Sequence, residues 1–229
     1  MHSLNNLVEE IGQLPSDWHK SGSVSGVILQ AILKHALNIS EINFTAETGS
    51  GKTTLLFSHL SPKHLIFALD NWSSVSVVKN SNLVKLENIT FIEGPTQKTL
   101  PLYKFTEKFD IVLLDGAHGY PFPDFSYFHF YPHIVTGGLL LIDDIEIPTI
   151  KRMFQILKAD DMWDLLEVVD GLAIFKRTSA PLIDPYSDSW WLQGYNKSLD
   201  RKFKRRAKIK KFLPKPIVTK IPGFIKKFF

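Results

Sequence analysis

Two stretches decide the fold: FDIVLLDGAHGY at 109–120 and GGLLLIDD at 137–144. Each is an unbroken apolar run that ends in acid. Strands apolar on both faces are those covered by helices on each side, as in a parallel sheet. Outward from this pair, Ile42–Ala46, His64–Leu69 and Ile89–Ile92 read as earlier strands beside Phe109–Leu114 and Leu139–Ile142. Val24–Leu37 has helical apolar spacing, and a second helix runs from Lys52 to about His59, with Pro62 as its stop. Short apolar runs alternating with helices describe an α/β domain. Beyond it, Trp163–Val169 and Leu172–Lys176 flank Asp170-Gly171, a pair that favours a tight hairpin. The sheet is therefore expected to close with an antiparallel pair.

The 229 residues, 44% hydrophobic and 22% charged, suit one soluble domain. With no cysteine, disulfides, thiolate metal sites and a cysteine nucleophile are excluded. The first residues carry acids and no basic region leading into an apolar run, and no apolar stretch reaches the roughly 18–20 residues of a spanning helix. The expectation is a cytoplasmic protein. Three parts are expected: an N-terminal segment 1–22, a domain 23–180, and an aromatic loop with a basic tail at 181–229.

The turn Ala46-Glu-Thr-Gly-Ser-Gly-Lys-Thr53 stands where α/β proteins bind their ligands. As a phosphate loop it would use Lys52 and Thr53, with Asp115 on Mg²⁺, in an NTPase or kinase. As a nucleoside site, Glu47 would hold a ligand's amino-acid end against Gly49 and Gly51. Asp70, about 20 residues on, suits the ribose hydroxyls of an adenosine. An NTPase has no use for an acid there.

From about Ser23 to Arg177 the chain resembles class I S-adenosylmethionine (SAM)-dependent methyltransferases. The nearest group contains the macrocin-type O-methyltransferases and related sugar methyltransferases (methyltransferase domain family 24). The resemblance rests on FDIVLLDGAHGY and GGLLLIDD more than on the glycine turn. It implies a Rossmann-like, mostly parallel seven-stranded sheet ending in an antiparallel hairpin, with helices on both faces. It implies SAM held by Glu47, Gly49, Gly51, Asp70, Asn71, Gly94 and Asp115. Asp115, Asp143 and Asp144 would converge at neighbouring strand ends and hold a divalent cation, Mg²⁺ by resemblance, since clustered carboxylates repel without one. His118 would act as base in the O-methylation of a sugar, glycan or small-molecule hydroxyl.

Two features depart from the resembled pattern. Lys52 and Thr53 are unusual at a SAM turn, and Gly94-Pro95-Thr96 replaces the common Gly-Asp-Ser. An NTPase, and a degenerate fold acting as a membrane or RNA adaptor, stay open as alternatives. His129 and His133 lie in an aromatic stretch and read as packing. Trp190, Trp191 and Tyr195 read equally as a cover for the site or as packing of an extension.

Residues 197–229 hold 13 of the 27 Lys and Arg and one of the 23 acids, which leaves an acidic body. Residues 199–213 read as a basic helix. Its lysines and arginines interleaved with Phe, Ile and Leu suit an anionic membrane surface, so the expected place is the inner membrane face; nucleic acid is the second candidate.

Overall fold

The computed structural model describes residues 3–18, 23–69 and 73–212. Seven strands form one sheet: β1 (Thr45–Thr48), β2 (His64–Ala68), β3 (Ile89–Glu93), β4 (Phe109–Leu114), β5 (Ile134–Ile142), β6 (Trp163–Val169) and β7 (Leu172–Arg177). Their order is β3-β2-β1-β4-β5-β7-β6. The first five are mutually parallel, while β7 is antiparallel to both β5 and β6. This is the Rossmann-like sheet with its antiparallel hairpin.

Helices α1 (Leu4–Gln13), α2 (Gly26–Ala36) and α3 (Lys52–Leu60) cover one face. Helices α5 (Thr96–Leu102), α6 (Phe122–Phe130) and α7 (Pro148–Leu157) cover the other, and α4 (Ser74–Lys79) lies between α3 and β3 in the chain. Alternation along the central strands divides the core: Val112 and Leu114 face the aromatic layer of Phe67, Phe109 and Phe130, while Ile111 and Leu113 face Leu29, Ile32 and Leu55. Helix α1 belongs to this core, burying Leu7, Val8 and Ile11 against α2 and α3.

The strand boundaries differ from expectation where side chains replace the ladder. Strand β1 begins at Thr45, not Ile42, because Asn43 and Phe44 donate their N–H groups to Asp110 Oδ2 (2.8 and 3.0 Å). Strand β5 begins at Ile134 and contains Gly137-Gly138, since Ile134 pairs with Phe109 across an irregularity before Leu139 joins Ile111. Strand β3 is an edge and is not buried on both faces.

After β7 the chain forms a 3-10 turn, Asp188–Leu192, and helix α8 (Gly194–Phe212). Trp190 packs edge-on against Tyr131 at 5.1 Å, and Tyr131 donates to the Ile183 carbonyl at 2.7 Å. Tyr131 immediately precedes β5, so this extension sits at the edge where the parallel strands begin. Of the two readings of this aromatic group, packing of an extension is the one that holds for Trp190, at the far end of the sheet. Among the described residues no helix is long and apolar enough to cross a membrane.

Candidate active site

At the opposite edge, where parallel strands end, lies a cavity of about 540 Å³. Its floor is the glycine turn between β1 and α3, and its walls come from the loops after β2, β3, β4 and β5. Ligands bind at this edge because the strand order reverses there, between β1 and β4, and leaves a crevice.

Gly49 sets the shape of the floor. Its φ is +90°, and a Cβ placed on it would lie 2.2 Å from the Asp115 carbonyl oxygen. Thr48 Oγ1 accepts the Asp115 N–H at 2.9 Å, which locks the β4 loop onto the turn. Gly51 also lines the cavity, as do Gly94 and Thr96 of the segment that departs from Gly-Asp-Ser, and Gln97 beside it. Asp70 and Asn71 fall outside the described residues.

Glu47 takes a different place from the one expected. Its side chain is 1% exposed and does not line the cavity. One carboxylate oxygen accepts from Thr53 Oγ1 at 2.8 Å; the other meets Thr54 Oγ1 and lies 3.2 Å from His64 Nε2. The acid braces the turn from beneath. Glu47→Ala strands three buried polar groups, so it is expected to cost about 3–5 kcal/mol. Urea unfolding of the variant checks this, with Glu47→Gln expected to lose less.

The phosphate-loop reading is corrected on the same ground. Lys52 Nζ donates to the Leu14 carbonyl at 2.7 Å, tying the helix α1 exit to the turn, and Thr53 is spent on Glu47. Both line the cavity, but here Lys52 is directed to the helix α1 exit and Thr53 to Glu47, not toward a common ligand. Lys52→Met is expected to leave SAM binding unchanged and to cost about 1–3 kcal/mol through the orphaned carbonyl. Calorimetric titration and thermal unfolding check it; ATP binding lost with Lys52 would reverse the correction.

The acids at the mouth gather around His118. Its Nε2 is shielded from solvent without a hydrogen-bond partner, 3.6 Å from Asp115 Oδ1 and 3.5 Å from Asp144 Oδ2. Thr149 Oγ1 donates to the His118 carbonyl at 2.5 Å and holds the loop. Asp115 chiefly, with Asp144 and Asp143 behind it, keeps the imidazole pKa above its ordinary value against the opposing effect of burial. Ala117 and Asp144 have φ of 55° and 56°, a left-handed conformation that non-glycine residues adopt at a cost.

One donor atom each from Asp115, His118 and Asp144 lies within 4.8 Å of the others, a spacing that fits a cation. The unpartnered Nε2 between two carboxylates supports that fit. Asp143 lines the cavity but stands outside the cluster: its Oδ1 accepts the Asp144 N–H at 2.9 Å. Burial, and then Asp115, push its pKa up to about 7. At this spacing the imidazole is open to two roles: a third ligand, which would widen the choice of cation from Mg²⁺ toward Mn²⁺, or a proton acceptor beside the two carboxylates.

A fourth acid was not foreseen. Asp170, read as a turn residue, lines the cavity and accepts from Ser25 Oγ at 3.0 Å. Because β6 runs parallel to β5, its hairpin turn arrives at the same edge as the β5 loop, and no local signal in the sequence carries that.

Residues 46–145 match the model of a methyltransferase domain family. TomG, an O-methyltransferase of Streptomyces achromogenes involved in tomaymycin synthesis and solved with SAM, is 15% identical; the match covers 76% of this chain and 90% of TomG, with a TM-score of 0.57. An O-methyltransferase of Bacillus cereus solved with SAH is 16% identical over 78% of this chain and 92% of its own, with a TM-score of 0.52. MycE, a methyltransferase of the mycinamycin pathway solved with Mg, SAH and mycinamycin VI, is 16% identical over 80% of this chain and 57% of its own, with a TM-score of 0.51. At such identities the likeness is one of fold. No curated protein sequence matches the chain.

Proposed function

We propose that this protein moves a methyl group from SAM to a hydroxyl oxygen of a neutral polyol acceptor, a glycan or a small molecule. The observation that carries this reading is His118 Nε2, set 3.6 Å from Asp115 and 3.5 Å from Asp144 at the mouth of a cavity floored by the glycine turn. A donor lying on Gly49 and Gly51 brings its methyl toward Asp115 and His118. The acceptor oxygen attacks that methyl, the carbon–sulfur bond breaks, and S-adenosylhomocysteine leaves. A neutral alcohol is a poor nucleophile, so its proton must go to a base as the new bond forms. His118 Nε2 takes it, and Asp115 and Asp144 stabilise the imidazolium that results.

Asp115 and Asp144 would hold a divalent cation, which when bound supplies Lewis acidity toward the acceptor hydroxyl. Four aspartates (Asp115, Asp143, Asp144 and Asp170) line the mouth, and the one lysine among the described lining residues is turned to Leu14. Once the cation offsets Asp115 and Asp144, the described lining still offers an anionic acceptor no free cationic side chain, so a neutral acceptor fits best.

Calorimetric titration with SAM, followed by transfer of a labelled methyl group to a panel of neutral and anionic hydroxyl compounds with and without Mg²⁺ or Mn²⁺, tests the proposal. Binding of SAM and labelling of a neutral polyol are expected. Silence toward SAM, with ATP bound instead, would overturn it.

A further inference from the structure

Helix α8 does no work for the site just described. It starts at the other end of the sheet, where Gly194 lies so close to Ala159 that a Cβ would fall 1.9 Å from the Ala159 carbonyl oxygen. Ala159 closes α7, which has run from the cavity edge back to the edge where β6 begins. The start of α8 is anchored there. From Arg201 through Arg205, and again at Lys208, every side chain is exposed.

The helix is strongly one-signed. Residues 194–212 carry nine Lys and Arg and a single acid, Asp200, which pairs with Lys204 at 2.6 Å. Lys197, Arg201, Lys204 and Lys208 recur at spacings of four, three and four. That arrangement lines them along one side of the helix over about 16 Å. Like charges four residues apart destabilise a helix in water, so this stripe is held against its own repulsion. A surface of opposite sign relieves it.

We propose that α8 is a docking element for an anionic lipid bilayer. Phe203 stands 63% exposed among the cations, with Trp191, likewise 63% exposed, in the turn before the helix. The sequence that follows, 213–229, lies outside the described residues; it adds four lysines, eight large apolar residues and no acid. Phosphate contacts along a nucleic acid need the cations alone. Apolar residues beside them serve a bilayer, where a basic segment and an inserting one together give stable attachment. Docking through α8 also keeps the four aspartates of the mouth at the far end of the molecule, away from the negative surface.

Flotation of the full-length protein with vesicles tests this, using phosphatidylcholine alone and phosphatidylcholine with phosphatidylglycerol. Partition into the anionic vesicles, weakening as salt rises, is expected. The variant K197Q/R201Q/K204Q/K208Q should partition at least about a hundred-fold more weakly, given about 1 kcal/mol for each basic residue at such a surface. Circular dichroism and an unchanged unfolding midpoint would establish that this variant is folded; if it is not, the wild-type comparison between the two vesicle types decides. Equal partition into both vesicles, none into either, or tighter binding to single-stranded RNA than to the anionic vesicles at the same salt would overturn the proposal.

Discussion

Gly49→Ala protein is expected to lose SAM binding by more than about a hundred-fold, equivalent to about 2.8 kcal/mol. Two costs combine. The left-handed backbone at φ +90° disfavours any residue with a Cβ, by about 1–2 kcal/mol. The new methyl also stands 2.2 Å from the Asp115 carbonyl oxygen, and neither atom belongs to a side chain that can rotate away. Relief requires the β4 loop to lift from the turn, which breaks the bond from the Asp115 N–H to Thr48 Oγ1 and displaces Asp115 from Asp144 and His118. Cofactor floor and acidic cluster are thus lost together. Gly137→Ala is the control: φ is +87° and nothing lies within 4 Å of the new Cβ, so it carries the strain without the overlap. Calorimetry with SAM on both variants checks the argument. Equal SAM affinity in both would mean that the ligand does not lie on the turn.

What the sequence could disclose follows from how local each signal is. Strand β4 and the acids at the ends of β4 and β5 were legible because a buried parallel strand announces itself as a continuous apolar run. The hairpin around Asp170-Gly171 was legible from turn chemistry. The start of β1 was not, because Asp110, more than sixty residues away, replaces two ladder bonds there with its side chain. Glu47 was placed in the cavity because an acid before a glycine turn looks the same in sequence whether it faces a ligand or a buried histidine. The choice was made by His64 on the adjacent strand, through a pairing that no linear pattern contains. Asp170 escaped notice as a cavity residue for a related reason: its position depends on β7 entering the sheet between β5 and β6. Helix α8 was legible as basic and helical, but its place at the far edge depends on Trp190 finding Tyr131.

His118→Ala separates two roles that the geometry allows the same nitrogen. An Nε2 that carries the lone pair to a cation cannot also accept the acceptor's proton. As the base, His118 is expected to support methyl transfer by about 10²–10⁴-fold, so the variant should lose turnover by that factor. Its affinity for SAM and for Mn²⁺, held by Asp115 and Asp144, should survive. Asp144→Asn should behave in the opposite way at the metal: Mn²⁺ binding falls, because one of two carboxylates is neutralised, while SAM stays bound by the turn beneath. The acid limb of the rate profile gives an independent readout. Assayed without added metal, the wild-type limb should lie above the ordinary imidazole range, because Asp115 raises the His118 pKa, and it should vanish in His118→Ala. Calorimetric titration of both variants with Mn²⁺ and SAM, beside their turnover, checks the assignment. If His118→Ala loses Mn²⁺ along with turnover, the imidazole is a third ligand, its proton-accepting role is withdrawn, and Asp143, pushed up to about 7 by burial, becomes the group to test as base.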